Sequence, residues 1–593
     1  MAYPFPMPTA APTAPDPKAI PAAVADASTR RKFVPSDFVP DQWEKISPYL
    51  EQLQSREINT AKELEAWLLD LSELSAVVDE YGSRRYIDRS CFTNDEKIKA
   101  AYLDFVENIE PQLKPAMFEL QKKFLAQQQA GELTGPRYEQ LKKHWQADVE
   151  LFREENVPLE TQITKIVTKY DEISGEMSVE FRGDTYTMQQ MARFLEETDR
   201  TTREEAWRAT AERRLQDREA IDALFDEILP LRQKIAENAG FANYRDYQFK
   251  RLKRFDYTPA DCDAYADAVE KHVVPLIRDM DAERREALGV EKLRPWDLSV
   301  DPKGRDPLRP FSEDGIDQFV ETTRGVFAKL DPALADDFEK LRTAGNLDLG
   351  SRRGKQPGGY QCNLEETRIP FIFMNAAGLQ RDVETLLHEG GHAFHTLAVM
   401  DEPLTFLRHA PMEFCEVASM SMELLALPHM GDYFNSDEEA DRARRHQLEG
   451  VSVLAWIATI DQFQHWIYTN PGHSRDERTS EWNRLMDRFG HEQDLSGVED
   501  VKDALWQRQL HLFHVPFYYI EYGIAQLGAL QIYNNAKTDP KAALAAYRKG
   551  LSYGGTRPLP ELFEAADIKF DFGDATIEPL IKTVREDLAK LPV

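Results

Sequence analysis

The run His388-Glu389-Gly390-Gly391-His392 constrains the local fold of this chain more than any other stretch. Two histidines four residues apart can hold one metal ion if the segment is an α-helix, because such positions lie on one face. Glu389 would lie about 100° around that helix, close enough to contact an attacking water. This HExxH pattern predicts a helix that begins near Asp382 and carries a catalytic zinc ion.

Three further residues in the same helix need an explanation. Gly390 and Gly391 each cost about 1 kcal/mol relative to alanine in a helix interior. They indicate either close approach of another segment or the substrate, or tight helix packing. His395 lies about 10 Å along the axis from His388, too far to join the same metal, and we predict a core or supporting role for it.

The third metal ligand should be an acid on the following helix, since catalytic zinc usually takes three protein ligands and a water. The segment from Glu413 to Glu423 is otherwise apolar or small, so its acids are not simply a solvated face. We predict Glu416 as the ligand, with Glu413 as the competing residue. Glu423 lies seven residues after Glu416 on the same side and is predicted to orient a ligand histidine.

The rest of the sequence has a mainly helical pattern. The chain has 593 residues, 42% apolar and 30% charged, as expected of a large globular protein. An apolar set lies near one face of a single predicted helix and comprises Leu64, Trp67, Leu68, Leu71 and Leu74. A capping box at Thr202-Arg203-Glu204-Glu205 predicts a helix that continues to about Asn238.

A few short segments have a β pattern instead. Ile163 to Tyr170 is rich in β-branched residues, and we predict a strand there. Met177 to Phe181 and Thr185 to Thr187 flank Arg182-Gly183-Asp184, which predicts a hairpin. Ile369 to Asn375 predicts one short buried or half-buried strand just before the HExxH helix.

Charge and cysteine content exclude some classes of function. The net charge of −30 disfavours binding to nucleic acid or to an anionic membrane surface. The four cysteines are scattered and form no CxxC pair, which favours a reducing compartment. Residues 1–30 are Ala- and Pro-rich and predict a disordered tail. Arg30-Arg31 resembles an export signal, but no apolar stretch follows, so we predict a cytoplasmic protein.

Together, these motifs resemble the thimet oligopeptidase and oligoendopeptidase F family of zinc peptidases, and most closely its oligoendopeptidase F branch. The resemblance rests on the HExGH run and on the segment from Glu416 to Ser419. Four further segments carry it: Lys32 to Pro35, Gly358 to Cys362, Pro370 to Phe373 and His511 to Tyr522. It spans nearly the whole chain after residue 31.

The resemblance implies one two-lobed helical unit over residues 31–593, with a deep central channel and a small β-sheet near the zinc. The zinc-binding core would cover about residues 355–535. The family places His511, Tyr519 and Tyr522 over the substrate carbonyl, where imidazole and phenol supply the donors that an oxyanion needs. The spacing from His511 is one residue shorter than in thimet oligopeptidase, so Tyr518 could replace Tyr519. The alternative is that these aromatic residues are only core.

The strand from Phe371 to Asn375 could bind extended peptide through an exposed edge, or could be purely structural. Substrate contacts are predicted for Gly359, Tyr360, Phe373 and Tyr518. The sequence therefore predicts a zinc oligoendopeptidase that binds one Zn²⁺ per chain and cleaves short unfolded peptides, with Glu389 as the general base. A dipeptidyl carboxypeptidase and a non-catalytic peptide-binding protein are the alternatives. Nothing in the sequence specifies an oligomeric state.

Overall fold

Helices account for most of the described residues, which confirms the mainly α fold. The helices before residue 300 are α1 Trp43–Ser55, α2 Ala61–Cys91, α3 Glu96–Asp104, α4 Glu110–Ala126, α5 Pro136–Leu151, α6 Val157–Gly175, α7 Met188–Met191, α8 Arg200–Gln216, α9 Arg218–Asn238, α10 Tyr244–Arg251, α11 Pro259–Ala268 and α12 Val274–Leu288. The later helices are α13 Ile316–Leu330, α14 Pro332–Thr343, α15 Gln380–Val399, α16 Met412–Leu425, α17 Asp437–Glu449, α18 Val453–Thr469, α19 Arg475–Phe489, α20 Glu499–Asp503, α21 His511–His514, α22 Tyr519–Thr538, α23 Pro540–Leu551, α24 Leu559–Ala565 and α25 Asp574–Leu588.

The computed structural model describes residue 27 and residues 29–312, 315–352, 354–356 and 358–593. Most of the predicted disordered tail over residues 1–30 therefore lies outside the described residues. The chain divides into two compact units. Of the described residues, the first unit contains those up to 146, those within 309–440 and those within 535–569, and the second contains those within 147–308, 441–534 and 570–593. The predicted two-lobed arrangement around a channel stays a prediction.

The core of the first unit is built on α2, as its apolar periodicity predicts. Thr60 caps this helix in a capping box with Glu63, whose side chain accepts from the Thr60 amide. The five apolar residues predicted on one face, Leu64 to Leu74, are all buried, with exposed fractions of 0–2%. The 3.6-residue period therefore identified a core face correctly.

The predicted hairpin is present, but the strand predicted before it is wrong. Strand β1, Ser178–Phe181, pairs antiparallel with β2, Asp184–Thr187. Arg182 and Gly183 form the turn with positive φ angles of 54° and 94°. Residues 163–170 lie instead inside helix α6, which buries Ile166, Val167 and Tyr170. The helical spacing of these apolar residues outweighed their β-branched character.

The predicted helix from Thr202 to Asn238 is two helices, with a different cap. Helix α8 begins at Arg200, and the side chain of Asp199 accepts from the Thr202 amide at 2.9 Å. The chain leaves helical geometry at Asp217, between α8 and α9. Helix α11 begins at Pro259, and Thr258 and Asp261 form a capping box at its start.

A three-stranded sheet lies against the helix that carries the HExxH run. Strand β5, Phe371–Ala376, is central, with β3, Leu347–Gly350, parallel on one side and β4, Tyr360–Cys362, antiparallel on the other. The prediction that the segment from Phe371 to Asn375 has an exposed edge is therefore wrong for most of its length, because β3 pairs with one edge and β4 pairs with the other over Phe371 to Phe373. Strands β4 and β5 contact α15.

Across the part of the chain that the structure describes, no helix is both long and apolar enough to cross a bilayer.

Candidate metal centre

Helix α15 positions the HExxH run as the sequence predicts. The Asp382 carboxylate accepts from the backbone amides of Ala377 and Leu379 at 2.7 and 2.9 Å, which fixes the start of the helix. His388 and His392 lie on one face, with ring centroids 4.9 Å apart. Their side chains retain 24% and 18% exposure, so both remain accessible to a ligand.

The two glycines of the run are explained by packing. A Cβ on Gly391 would lie 2.5 Å from the carbonyl oxygen of Ala418 and 2.7 Å from the Cα of Ser419. A Cβ on Gly390 would lie 2.9 Å from the Phe327 ring of α13. Gly391 therefore lets the backbone of α16 approach α15 directly, and this approach brings the acids of α16 towards the histidines.

Glu416 on α16 meets both histidines. Its Oε2 lies 3.4 Å from the Nε2 of His388 and 3.7 Å from the Nε2 of His392. Ligand atoms about 2 Å from a tetrahedral ion lie roughly 3.3 Å from one another, so these three side chains could hold one metal ion. Ser419 donates to the same Oε2 at 3.0 Å. Glu413 is buried on the same helix but is not part of this three-residue group.

Glu423 lies where it can orient His388. Its Oε1 is 2.7 Å from the Nδ1 of His388. A proton held on Nδ1 by this contact leaves Nε2 directed towards Glu416, which is the tautomer that metal binding needs. The geometry thus brings together the four residues that the sequence predicted as ligands and support.

The three ligand-type side chains strongly perturb one another's pKa values. Burial disfavours charged His388, but its bonds with Glu416 and Glu423 outweigh this and raise its pKa well above the usual range. Burial would raise the pKa of Glu416, but His388 and His392 hold it down to about 2. Burial lowers the pKa of His392 to about 4. At neutral pH Glu416 is therefore ionised and His392 neutral, as metal ligands must be, whereas His388 is protonated and would release its Nε2 proton when a metal ion binds.

Glu389 lies next to this group and is only 7% exposed. Burial raises its pKa to about 7, and the Glu416 and Glu423 carboxylates act in the same direction. The positive charge of His388 and a hydrogen bond from the Gln361 backbone oppose this rise. A carboxyl with this pKa can both accept and release a proton near neutral pH.

His395 lies on the same helix but outside the three-residue group. It is buried and contacts Phe414 edge-on, with ring centroids 6.0 Å apart. Burial lowers the pKa of His395 to about 3, helped by His392 and His409. Its Nε2 makes no hydrogen bond within the described ranges. A neutral core histidine fits these observations.

The residues predicted to contact substrate from the sheet have different environments. Phe373 is fully buried, and its ring stacks on Tyr360 with centroids 4.8 Å apart. The Phe373 side chain therefore cannot contact a substrate, and that part of the prediction is wrong. Tyr360 is half-buried in β4, which lies at the edge of the sheet. A Cβ on Gly359 would lie 3.3 Å from the Thr385 side chain of α15.

The predicted aromatic residues form a cluster in the second unit. His511 begins α21, and the centroid of its ring lies 4.9, 6.0 and 6.1 Å from those of Tyr519, Tyr518 and Tyr522. Burial lowers the pKa of His511 to about 4, and the neighbouring His514 adds to this. His511 is therefore neutral at neutral pH. That this cluster faces the metal stays a prediction.

Two residues that sequence reasoning missed support this cluster. The side-chain amide of Gln509 lies 2.7 Å from the Nδ1 of His511. The Oε1 of Gln509 accepts from the indole nitrogen of Trp456 at 3.1 Å. The position of Gln509, two residues before His511, was the one feature of the sequence that could have indicated its role. Trp456 lies on α18, and no local sequence pattern connects it to the cluster.

The fold and this centre define a class of protein. A mainly helical chain whose HExxH helix packs against a second helix that carries an ionised glutamate is a metallopeptidase.

Comparison with known proteins gives the family. Residues 193–580 match Peptidase family M3, and residues 33–152 match the Peptidase M3 N-terminal domain. This chain therefore belongs to Peptidase family M3 and is a metalloendopeptidase.

Individual relatives agree with this assignment. An oligoendopeptidase F homolog of Borreliella burgdorferi is 22% identical over 428 residues, which are 68% of this chain and 68% of the relative. The solved structure of PZ peptidase A with an inhibitor has a TM-score of 0.85 and 26% identity, covering 95% of this chain and 99% of its own. A Bacillus anthracis protein described as an oligoendopeptidase F has a TM-score of 0.80 and 26% identity, covering 92% of this chain and 95% of its own. The predicted family resemblance is confirmed.

Proposed function

We propose that this chain is a zinc-dependent oligoendopeptidase that hydrolyses internal bonds of short unfolded peptides. The observation that carries the proposal is the convergence of His388, His392 and Glu416 next to the buried carboxyl of Glu389. The names of its relatives, oligoendopeptidase F homolog and PZ peptidase A, support the same activity.

The donor set fits zinc. Two imidazoles and one carboxylate are a common set of protein ligands in catalytic zinc sites, and Glu423 supplies the supporting carboxylate. Zinc bound there would polarise a peptide carbonyl and lower the pKa of the attacking water. His388 and His392 would bind through Nε2, the nitrogen that faces Glu416 in each ring.

Glu389 would serve as the general base. Its carboxylate accepts a proton from the attacking water and then donates it to the amine that leaves. The raised pKa of about 7 suits both steps, because a catalytic group works best when its pKa is near the working pH. Its burial also limits competition from bulk water at the carboxylate.

His511, Tyr519 and Tyr522 would supply hydrogen bonds to the oxyanion that forms on the scissile carbonyl. Their rings lie within 4.9–6.1 Å of one another by centroid distance, so they can act as one group. Neutral imidazole and phenol are both donors. Tyr518 is the alternative to Tyr519, since its ring lies 5.2 Å from Tyr522.

Substrate would bind mainly through its backbone. Strand β4 is at the sheet edge, and its Gln361 amide influences Glu389 directly. An extended peptide that pairs with β4 next to Gly359 and Tyr360 gains main-chain hydrogen bonds that depend little on its sequence. A cytoplasmic location is consistent with four cysteines that form no disulfide bond with one another in the described part of the chain.

The experiment is mass spectrometry of products from a mixed peptide library in two forms, one with free ends and one whose members are blocked at both ends. We expect internal cleavage that a chelator abolishes, and none from Glu389→Gln although this variant retains its metal. Cleavage limited to peptides with a free carboxyl terminus would instead indicate an exopeptidase. No cleavage at all by the zinc-loaded protein would refute the activity.

A further inference from the structure

A second group of metal-ligand side chains lies in the core of the second unit. Cys262 on α11 and Asp461 and His465 on α18 have ligand atoms within 4.8 Å of one another. Their exposed fractions are 0%, 1% and 5%. Asp461 and His465 are four residues apart and so share one helix face, against which α11 packs.

Three polar atoms of this group lack hydrogen bonds. Within the described part of the chain, both carboxylate oxygens of Asp461 and the Nε2 of His465 are buried without a hydrogen-bond partner. The Nε2 of His465 lies 3.2 Å from the Oδ2 of Asp461, but the two are not aligned as a hydrogen bond. Buried polar atoms are normally satisfied by protein, water or a metal ion, so this group needs an explanation.

Leaving this group without a ligand would cost free energy, because its surroundings are largely apolar. The rings of Phe249 and Phe517 lie 5.8 and 5.3 Å from that of His465, so its immediate neighbours are largely apolar. The nearby guanidinium of Arg254 is hydrogen-bonded to the Glu521 carboxylate at 2.9 Å. Both carboxylate oxygens of Asp461 thus lie in this interior without a hydrogen bond from any described residue, and a bound cation would satisfy them.

We infer that Cys262, Asp461 and His465 form a second metal site, which binds a divalent transition-metal ion and holds α11 to α18. Thiolate, imidazole and carboxylate together favour zinc among the available ions. On binding, the Cys262 thiol releases its proton to solvent, and two anionic ligands then balance the charge of the ion. Because the site is enclosed and buried, its role is structural rather than catalytic.

The cysteine distinguishes this site from the one on α15. A thiolate bound to cobalt produces a near-ultraviolet charge-transfer band. The centre formed by His388, His392 and Glu416 has no sulfur ligand and cannot produce it. We expect the band in full-length protein produced with cobalt in place of zinc, and its loss in Cys262→Ala. Cys91→Ala removes another buried free cysteine and is the matched control, which should keep the band.

Metal content provides the second measurement. Zinc-loaded wild-type protein should contain two zinc ions per chain, and Asp461→Asn should contain one while it still cleaves peptides. One zinc ion in the wild type, no thiolate band, or a band that persists in Cys262→Ala would overturn the proposal. A buried water linking the three side chains would give the first two of these results. Two zinc ions without peptide cleavage would refute the proposed peptidase activity and leave the second site intact.

Discussion

The close approach of α15 and α16 at Gly391 gives the sharpest test of how the metal centre is built. In Gly391→Ala, the new Cβ would lie 2.5 Å from the carbonyl oxygen of Ala418. An ordinary carbon–oxygen contact begins at about 3.3 Å, so the two helices would have to separate by about 0.8 Å. Helix α16 resists this movement, because the same carbonyl accepts a hydrogen bond of 2.8 Å from the fully buried Tyr547.

For Gly391→Ala, the expected cost in stability is larger than the expected gain. Alanine gains about 1 kcal/mol over glycine in a helix interior, whereas overpacking a core costs about 1–3 kcal/mol. Movement of α16 would also carry Glu416 away from His388 and His392. Misplacement by about 1 Å can reduce catalysis by about 10²-fold. We therefore expect kcat/KM for Gly391→Ala to fall by about 10–100-fold, with weaker zinc binding.

Gly390→Ala is the matched control one residue away. Its Cβ would lie 2.9 Å from Cζ of the buried Phe327 ring, so only a side chain has to shift and the backbone of α16 can stay in place. The gain in helix propensity offsets that adjustment, so we expect nearly normal behaviour. Zinc affinity is measured by competition with a chelator, and activity with an internally quenched peptide. Equal loss in both variants, or none in Gly391→Ala, would refute the reasoning.

Three further predictions follow from the charges around the centre. Glu423→Ala should weaken zinc binding by about 10–100-fold, because His388 loses its orienting carboxylate. Competition with a chelator measures the affinity, and an unchanged value would contradict the orienting role of Glu423. The pKa of about 7 for Glu389 predicts that kcat/KM rises with pH up to about 7, since only the carboxylate accepts a proton. A pH profile of kcat/KM that stays flat below pH 7 would argue against Glu389 as the base. His395 has a pKa lowered to about 3, so it stays neutral in the folded protein while the unfolded chain binds a proton below about 6.5. Its contribution to stability is present above about pH 6.5 and is lost progressively as the pH falls towards 3. His395→Leu should therefore reduce the loss of thermal stability between pH 7 and pH 5, and an unchanged slope would exclude His395 as its source.

The centre on α15 could be predicted because its information is local. The spacing of His388 and His392, and the apolar character of the segment around Glu416, are both visible in a short window of sequence. Two consecutive helices with a close glycine contact then bring the windows together. The roles of Gly390 and Gly391 could not be decided in this way, because Phe327 and Ala418 belong to other helices.

Predictions failed where pairing between distant segments decided the outcome. The segment from Phe371 to Asn375 has the pattern of a strand, but its place in the centre of the sheet depends on β3, which begins at Leu347. Pairing on both sides buries Phe373 and moves the free edge to β4. Over residues 163–170, the β-branched residues led to a wrong strand prediction. The intrinsic β preference of such residues contributes less free energy than burying one face of a helix.

The second metal group also could not be predicted from the sequence, because it depends on contacts between distant segments. Asp461 and His465 have the i, i+4 spacing that identified the first centre, yet that spacing alone is common on helices and carries no chemistry. Only the fold brings Cys262, on α11, beside them. Proximity becomes an argument for a ligand only because all three residues are buried and, within the described part of the chain, the Asp461 oxygens and the His465 Nε2 have no hydrogen-bond partner. The two centres differ in whether a general base is present and in whether a ligand can reach the histidines. Glu389 lies within the first motif and beside accessible histidines, whereas the second group is enclosed, so the first suits catalysis and the second suits holding helices together.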